Sequence, residues 1–248
     1  MNSTLFLAHA PLDSAKMGRR MDNLNFLQNT DLFRGVSESA LKQILDDVVE
    51  RPFAQGDIIF RQGDSGRVLY LVKSGQVRIF INGLDGTETS VILLGRPGNI
   101  FGELAIIDGL PRSATAVAME TTVLLTINRE AFRDHMRQNP QLALNFMQEL
   151  SSKVRHNTRN IDTLTTMPVP QRLARQLMEM AQNYGQATQE GVFINTTLTQ
   201  GQLATLIGAT RESTNKVLRD FRERQWIMMS NGRITILDPD ALRAEIAA

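Results

Sequence analysis

Residues 101–114 of this chain read FGELAIIDGLPRSA. A glycine before a short helical stretch presents free backbone N–H groups at a helix start, and these groups attract a phosphate. Arg112 and Ser113 add a fork of charged donors and a hydroxyl. Glu103, when ionised, accepts a hydrogen bond from a ribose 2′-hydroxyl while Arg112 balances its charge. The combination is typical of a cyclic phosphodiester site, although Glu103 and Arg112 also fit a partly buried salt bridge that locks a loop.

Glycines around this segment indicate a β-rich domain. Ten of the seventeen glycines lie between Pro52 and Ser113. They separate short segments with an alternating pattern, such as Val77, Ile79 and Ile81. Turn sequences such as the one around Gly56 place a glycine where the backbone needs a positive φ. The pattern predicts antiparallel strands with tight turns, arranged as a small β-barrel of the jelly-roll type.

Beyond Asn128 the apolar period changes to steps of three and four. The residues that follow this period are Met147, Leu150, Val154, Asn157, Ile161 and Leu164. The spacing is typical of a coiled-coil seam and predicts a long helix. A short seam either packs on its own β-domain or pairs with a second copy of the chain. The polar Asn157 within it favours a dimer interface.

The segment Thr165–Pro170 ends this helix, because its two prolines disfavour helical backbone. We therefore place a domain boundary here and predict an α+β protein. The predicted parts are a flexible N-terminal extension (1–24), a β-barrel domain (25–137), a dimerisation helix (138–166) and a C-terminal domain (167–248). The C-terminal domain is predicted to contain a helix from about Gln171 to Asn183, a strand near Val192–Asn195, two further helices and a hairpin.

The two further helices have the pattern of a helix-turn-helix. Thr199 and Gln202 have the spacing of a capping box, which starts a helix at about Gln200. Gly208 suits a sharp interhelical turn, and Thr210 is a good N-cap for the second helix. The sequence Ser-Asn-Gly-Arg at residues 230–233 indicates a tight hairpin. This hairpin is predicted to be the wing of a winged helix.

The second helix carries polar residues of the kind that read bases. Arg211, Glu212 and Lys216 share its outward side, where Arg and Lys bond guanine and Glu accepts from cytosine N4. Phosphate contacts that fix the register are predicted for Thr199 and Ser213. Residues 211–224 include five basic and three acidic side chains, so the local charge is positive. Charge alone also fits an ordinary amphipathic helix with a solvated face.

Composition restricts the remaining possibilities. The chain has 248 residues, of which 42% are hydrophobic and 21% charged, with a net charge of +1 and no cysteine. This is ordinary globular usage for about two domains. The lack of cysteine, of an export signal and of a bilayer-spanning apolar run predicts a soluble, cytoplasmic protein without a membrane partner. His9, His135 and His156 are scattered and lack the paired spacing of a metal site.

The chain resembles the Crp/Fnr family of transcription regulators, and within it the branch that responds to cyclic AMP. The similarity covers about Leu32 to Ile236 and is most specific in FGELA (101–105), in Arg112-Ser113 and in RESTNK (211–216). It implies a cyclic nucleotide-binding β-barrel, a dimerisation helix and a winged helix-turn-helix. The implied cyclic AMP site comprises Gly102, Glu103, Leu104 and Ala105 around the sugar and phosphate, Arg112 and Ser113 on the phosphate, and Asn157 and Thr158 at the adenine.

The resemblance also implies a homodimer that binds double-stranded DNA at palindromic TGTGA-like sites, read by Arg211, Glu212 and Lys216. RNA polymerase is a further implied partner, for which the loop Tyr184–Gly191 is a candidate contact surface; a solvated loop is the alternative. The departures from the family pattern are Asn157-Thr158 in place of Thr-Ser, Lys216 in place of Arg, and Thr214 in place of Val or Ile. Lys216 loses bidentate geometry on guanine.

Other functions are weighed against this one. Within the family, the alternatives are another nucleotide, such as cyclic di-GMP or cyclic GMP, or DNA binding without a ligand. Haem and iron–sulfur sensing do not fit, because the chain has no cysteine and residues 25–130 contain no histidine. From a different class, the regulatory part of an enzyme would need a catalytic domain, and a hydrolase would need a metal cluster or a nucleophile with its base. The sequence offers only binding groups.

Overall fold

The chain forms a β-rich N-terminal domain, a long helix and a smaller C-terminal domain. The computed structural model describes residues 12–83, 87–196, 198–230 and 232–248. The helices are α1 (Leu12–Gln28), α2 (Glu38–Asp46), α3 (Glu103–Asp108), α4 (Arg129–Gln138), α5 (Pro140–Thr166), α6 (Val169–Tyr184), α7 (Gln200–Leu206), α8 (Arg211–Glu223) and α9 (Pro239–Ala247), with a 3₁₀ helix at Asp31–Phe33. Within the described ranges no helix has both the length and the apolarity to cross a bilayer.

The strands belong to three antiparallel sheets. The N-terminal strands are β1 (Val48–Phe53), β2 (Ile58–Phe60), β3 (Val68–Ser74), β4 (Val77–Asn82), β5 (Glu88–Leu94), β6 (Ile100–Phe101), β7 (Thr115–Ala118) and β8 (Thr122–Asn128). They form two sheets of order β1-β8-β3-β6 and β2-β7-β4-β5. The C-terminal strands are β9 (Gly185–Ala187), β10 (Val192–Ile194), β11 (Ile227–Ser230) and β12 (Arg233–Ile236), in the order β11-β12-β10-β9.

The two N-terminal sheets face each other across an aromatic core. Tyr70 and Phe101 of the first sheet stack with ring centroids 5.0 Å apart, and Phe60 of the second sheet lies 5.5 Å from Tyr70. The predicted jelly roll is confirmed. Its strands form two facing sheets instead of a closed barrel, since the strand pairings found among the described residues stay within each sheet.

The segment before β1 differs from the sequence expectation. The sequence predicts a flexible extension for residues 1–24, but residues 12–24 belong to helix α1; residues 1–11 lie outside the described residues. Leu27 near the end of α1 is fully buried, and Arg20 forms an ion pair with Asp46 of α2 at 2.7 Å. These contacts fix α1 against the domain, and they link residues too distant in sequence to give a local pattern.

Helix α5 has two parts with different surroundings. In the first part Leu142 and Phe146 are buried, and Phe146 meets Phe132 of α4 edge-on at 5.2 Å. In the second part the apolar side chains face outward. The exposed members of the predicted seam are Met147, Val154, Asn157, Ile161 and Leu164, whereas Leu150 packs partly on the core. The long helix lies where the sequence predicts it, with most of its seam uncovered in the single chain.

Hydroxyl side chains of α5 bond to the helix's own backbone. Five of them donate to the carbonyl four residues earlier, at 2.7–3.1 Å; the donors are Ser151, Thr158, Thr163, Thr165 and Thr166. Such bonds offer the carbonyls an alternative partner to the helical N–H groups. They are concentrated in the second part of α5, next to the C-terminal domain.

The C-terminal domain is built as the sequence predicts, with two additions: helix α9, and strand β9, which pairs with β10 inside the predicted loop. The predicted first helix is α6, the predicted strand is β10, and β11 and β12 form the wing hairpin from Ile227–Ile236 to Ser230–Arg233. Asn231, in the predicted hairpin turn, lies outside the described residues. For α9 the sequence does contain a helix-start signal, Asp238 before Pro239; the Asp238 carboxylate accepts from the Ala241 N–H at 2.9 Å.

Asn145 provides a test of how α5 is fixed to the N-terminal domain. Its side chain is buried, and its Nδ2 donates to the carbonyls of Leu32 at 2.9 Å and Arg34 at 2.8 Å. Asn145→Ala leaves both carbonyls without this donor, so we expect the free energy of unfolding in urea to fall by about 1–3 kcal/mol. Ser151→Ala, on the exposed side of the same helix, is the control and should change it by less than about 0.5 kcal/mol. Equal losses in both variants would contradict this role of Asn145.

Candidate functional site

Arg112 is the centre of the candidate ligand site. Its side chain is 5% exposed, with the guanidinium 4.3 Å from the ring centroid of Phe60. Nη1 donates to the Gly102 carbonyl and Nη2 to the Val68 carbonyl, both at 2.7 Å. The buried Nε has no partner among the described residues. Neutral carbonyls and an aromatic face therefore hold this cation in place.

Two glycines leave room for Arg112. Gly102 has a left-handed backbone (φ +74°), and a Cβ there would lie 2.5 Å from Nη1 of Arg112. A Cβ on Gly66 would lie 2.2 Å from the Cβ of Ala105. The loop before β3 also pairs with Arg112 through its backbone, because the Arg112 N–H donates to the Asp64 carbonyl at 2.8 Å. Any larger side chain at these glycines would displace the guanidinium or the start of α3.

The charge of Arg112 is not neutralised by a direct ion pair. Among the residues that the structure describes, no carboxylate forms a salt bridge with Arg112. Burial lowers the pKa of Arg112, because it removes water from the charged form, while Tyr70 and Glu103 nearby oppose this shift. A buried cation with an unpaired N–H and no acidic partner attracts an anion of the size of a phosphate. The residues present therefore fit the phosphate of a cyclic nucleotide.

Glu103 pairs with a residue that sequence reasoning missed. Its Oε1 lies 3.0 Å from Nζ of Lys153 on α5, and the same Nζ donates to the Ile100 carbonyl at 2.8 Å. Lys153 therefore balances the negative charge of Glu103, a role that the sequence assigns to Arg112. The alternative salt bridge between Glu103 and Arg112 does not form. The glutamate is buried, so its carboxylate connects the candidate site directly to the long helix. No spacing pattern marks Lys153, because its partner is distant in sequence.

The other predicted ligand residues are distributed unevenly. Gly102, Glu103 and Ala105 lie with Arg112, whereas Leu104 and Ser113 are exposed. Asn157 and Thr158 lie on the exposed part of α5, where the Thr158 hydroxyl donates to the Val154 carbonyl at 3.1 Å. Asn157 lines a separate cavity of about 400 Å³ between β5, α5, α6 and α7. Within one chain, the structure brings Gly102, Glu103 and Ala105 together with Arg112, and it leaves the predicted adenine residues exposed on α5.

The helix-turn-helix is capped as predicted. The Thr199 hydroxyl accepts from the Gln202 N–H at 3.2 Å, and the Gln202 side chain accepts from the Thr199 N–H at 2.9 Å. Gly208 has φ +59°, and a Cβ there would lie 2.6 Å from Cδ2 of Leu164 at the end of α5. The Thr210 hydroxyl accepts from the Ser213 N–H at 3.1 Å and starts α8. The capping box, the sharp turn and the second N-cap are confirmed.

Helix α8 separates a polar outer face from a buried inner face. Thr214, Leu218 and Phe221 are buried, and the Thr214 hydroxyl donates to the Thr210 carbonyl at 2.9 Å, which satisfies the polar group at this departure from the family pattern. The exposed residues are Arg211, Glu212, Ser213, Lys216 and Arg219, together with Thr199 at the start of α7. In the described part of the chain Arg211 and Lys216 form no ion pair. The face is therefore exposed and free to contact a partner of negative charge.

Comparison with known proteins gives the same division of the chain. The family described as "Cyclic nucleotide-binding domain" matches residues 50–139, and the family described as "Crp-like helix-turn-helix domain" matches residues 171–245. The first range contains Arg112 and the residues around it, and the second contains helices α7 and α8.

Similar whole proteins and structures support this division. The chain is 34% identical over 218 residues to the CRP-like cAMP-activated global transcriptional regulator of Mycobacterium tuberculosis, covering 87% of this chain and 96% of that protein. It is 34% identical over 222 residues to the cyclic AMP receptor protein of Thermus thermophilus, with 89% and 98% covered. A solved CRP-family transcriptional regulator, also from Thermus thermophilus, is similar with a TM-score of 0.70 and 26% identity, over 80% of this chain and 97% of that one. The chain therefore belongs to the Crp/Fnr family of transcription regulators, as a DNA-binding protein with a cyclic nucleotide-binding domain.

Proposed function

We propose that this regulator responds to cyclic AMP and acts in the cytoplasm as a homodimer on palindromic DNA sites with TGTGA-like halves. The observation that carries the proposal is the buried Arg112 guanidinium, which has an unpaired N–H and no carboxylate partner among the described residues. Relatives that are 34% identical over most of both chains are named for cyclic AMP. Their names support cyclic AMP as the effector.

In the proposed binding mode, Arg112 and Ser113 hold the cyclic phosphate and Glu103 accepts from the ribose 2′-hydroxyl. Gly102, Leu104 and Ala105 line the sugar-phosphate pocket, and Asn157 and Thr158 meet the adenine. Glu103 already contacts Lys153 at 3.0 Å, so any movement of its carboxylate towards a sugar hydroxyl changes an ion pair of α5. We expect this ion pair to carry the signal from the ligand site to the long helix.

The exposed apolar stripe of α5 supports the homodimer. Val154 and Ile161 are each 64% exposed, and Leu164 at the end of the helix is 47% exposed. Apolar side chains at this spacing are usually covered by a second helix. The same pairing places Asn157 and Thr158 beside the partner's helix, where they complete the proposed adenine site.

For DNA, we propose that Arg211, Glu212 and Lys216 read bases in the major groove. Thr199 and Ser213 contact phosphates and fix the register. Lys216 makes a point contact where a bidentate arginine would read guanine more strictly, so one base of the half-site is read with less discrimination. RNA polymerase is the proposed protein partner.

The first test is fluorescence anisotropy of a labelled palindrome with TGTGA halves, titrated with the protein at one fixed salt concentration. Cyclic AMP is expected to tighten binding by about 5- to 150-fold, the usual range of allosteric coupling. Competition with cyclic GMP and cyclic di-GMP identifies the effector, and tightening by either of these alone would overturn cyclic AMP as the effector. Tight binding that ignores every nucleotide would indicate a regulator that works without a ligand. We propose no catalysis, so cyclic AMP should be recovered intact.

Arg112→Leu tests the ligand site. We expect the affinity for cyclic AMP to fall by at least about 100-fold, because a charge-assisted, forked contact to the phosphate is lost. Arg112→Lys keeps the positive charge but lacks the forked pair of donors. Its affinity for cyclic AMP should therefore lie between that of Arg112→Leu and that of the unmodified protein. Arg61→Leu replaces an exposed arginine of the same domain and should bind like the unmodified protein. Calorimetry measures binding, circular dichroism confirms folding, and unchanged binding by a folded Arg112→Leu variant would exclude this site.

Ile161→Asp tests the dimer. Two carboxylates facing each other in an apolar seam would be desolvated without partners, so the dimer dissociation constant should rise by about 100-fold or more. Arg155→Ala, an exposed change outside the seam, is the control. Sedimentation velocity over a concentration series measures the shift from dimer to monomer. A variant that sediments like the control would show that the stripe is not the interface.

A further inference from the structure

The C-terminal domain is joined to the sheet β2-β7-β4-β5 by side chains that belong to neither proposed site. The Ser90 hydroxyl on β5 lies 2.6 Å from the Thr205 hydroxyl on α7. The Tyr184 hydroxyl at the end of α6 donates to the Leu93 carbonyl at 2.7 Å. These bonds cross from one domain to the other between residues that are distant in sequence.

Ser90 is part of a longer chain of hydrogen bonds. It is 6% exposed and accepts from Nε of Arg78 at 2.8 Å, so its own proton is available to Thr205. Arg78 is 4% exposed and lies 4.4 Å from the ring centroid of Phe80. The Thr205 hydroxyl also lies 2.8 Å from the Gln202 carbonyl, on the residue that closes the capping box of α7. A continuous set of polar contacts therefore connects the N-terminal sheet to the first turn of α7.

Close packing accompanies these bonds. A Cβ on Gly95 would lie 2.7 Å from Cε1 of Tyr184, so the tyrosine ring rests directly on the glycine. Burial raises the pKa of Tyr184, and its hydroxyl therefore remains a donor at neutral pH. Nearby, Nε2 of the buried Gln76 donates to the Asn195 carbonyl at 2.6 Å. The sequence places Tyr184 at the start of a solvated or polymerase-contacting loop, but its side chain contacts the nucleotide-binding domain instead.

We propose that these contacts form an interdomain latch that fixes the orientation of the helix-turn-helix, with Ser90, Thr205 and Tyr184 as positioning residues. This inference rests on the proposed function, because a latch matters only where a nucleotide reorients the DNA-binding domain. The latch leaves Arg211 and Lys216 exposed, so it does not cover the DNA face. It acts on orientation, which decides whether the two recognition helices of a dimer match successive major grooves. A change of orientation must break these bonds.

The absence of cysteine from the chain permits a direct test. The two hydroxyl oxygens are 2.6 Å apart, so cysteines at these positions would bring two thiols close together, and an S–S bond of about 2.05 Å would hold β5 to α7. We would prepare the full-length double variant Ser90→Cys/Thr205→Cys in oxidised and reduced forms. Non-reducing electrophoresis and mass spectrometry identify the bond within one chain. Anisotropy then measures the DNA dissociation constant of each form with and without cyclic AMP.

The reduced form lacks the bond between the two hydroxyls but leaves the domains free to move, so it is expected to keep a response to cyclic AMP. In the oxidised form the domains cannot separate, so we expect the effect of cyclic AMP to fall from the usual range of about 5- to 150-fold to less than about twofold. An oxidised form that responds like the reduced form would overturn the latch and leave the proposed function intact. An unmodified chain that ignores cyclic AMP would overturn the proposed function, and this inference with it.

The matched controls are the single variants Ser90→Cys and Thr205→Cys, which cannot form the bond within a chain and should keep their response after oxidation. Hydrogen exchange of the unmodified protein provides a measurement that does not depend on how the variants fold. Because the latch joins β5 to α7, cyclic AMP should change the amide protection of both segments together. Unchanged protection in both segments, in a protein whose DNA affinity does respond, would overturn the latch.

Discussion

A buried positive charge without a negative partner among the described residues is the constraint around which the N-terminal domain is arranged. Arg112 is held by two backbone carbonyls and an aromatic ring, which orient the guanidinium but do not neutralise it. Gly66 and Gly102 are required beside it because a Cβ at either position would collide with Arg112 or α3. The two sheets, the loop before β3 and the start of α3 all meet at this one side chain. Their arrangement leaves a buried charged donor whose chemistry fits an anion.

A second feature is the ion pair between Glu103 and Lys153, which connects the candidate ligand site to α5. Lys153 binds both the Glu103 carboxylate and the Ile100 carbonyl, so this side chain connects the long helix to the site. A change in the surroundings of Glu103 therefore acts directly on an ion pair of α5. At the other end of α5, Leu164 packs against Gly208 in the turn of the helix-turn-helix. The same helix thus contacts both functional parts of the protein.

Local features are predictable from the sequence, and long-range pairs are not. The capping box at Thr199 and the turn at Gly208 depend on residues a few positions apart, and both are found in the structure. The position of Arg112 beside Gly102 follows from one short segment. The partner of Glu103 does not follow, because Lys153 lies 50 residues away and no spacing pattern relates the two residues. The fixing of α1 and the interdomain bonds escape sequence reasoning for the same reason: each depends on tertiary packing that leaves no periodic signal.

The hydroxyl groups of α5 have a mechanical consequence. The helix contains no glycine, and its only proline is at its first residue, so it has none of the usual hinge residues. Yet five Ser and Thr hydroxyls donate to its backbone carbonyls and so compete with the helical N–H groups. Most of these hydroxyls lie near the C-terminal end of the helix. Because bonds of this kind slightly destabilise helices and often bend them, we expect this end of α5 to bend more easily than the first part. The hydroxyl bonds are spread over several turns of α5. We therefore expect the helix to bend gradually along this part, and the DNA-binding domain to change its orientation without a hinge at one residue.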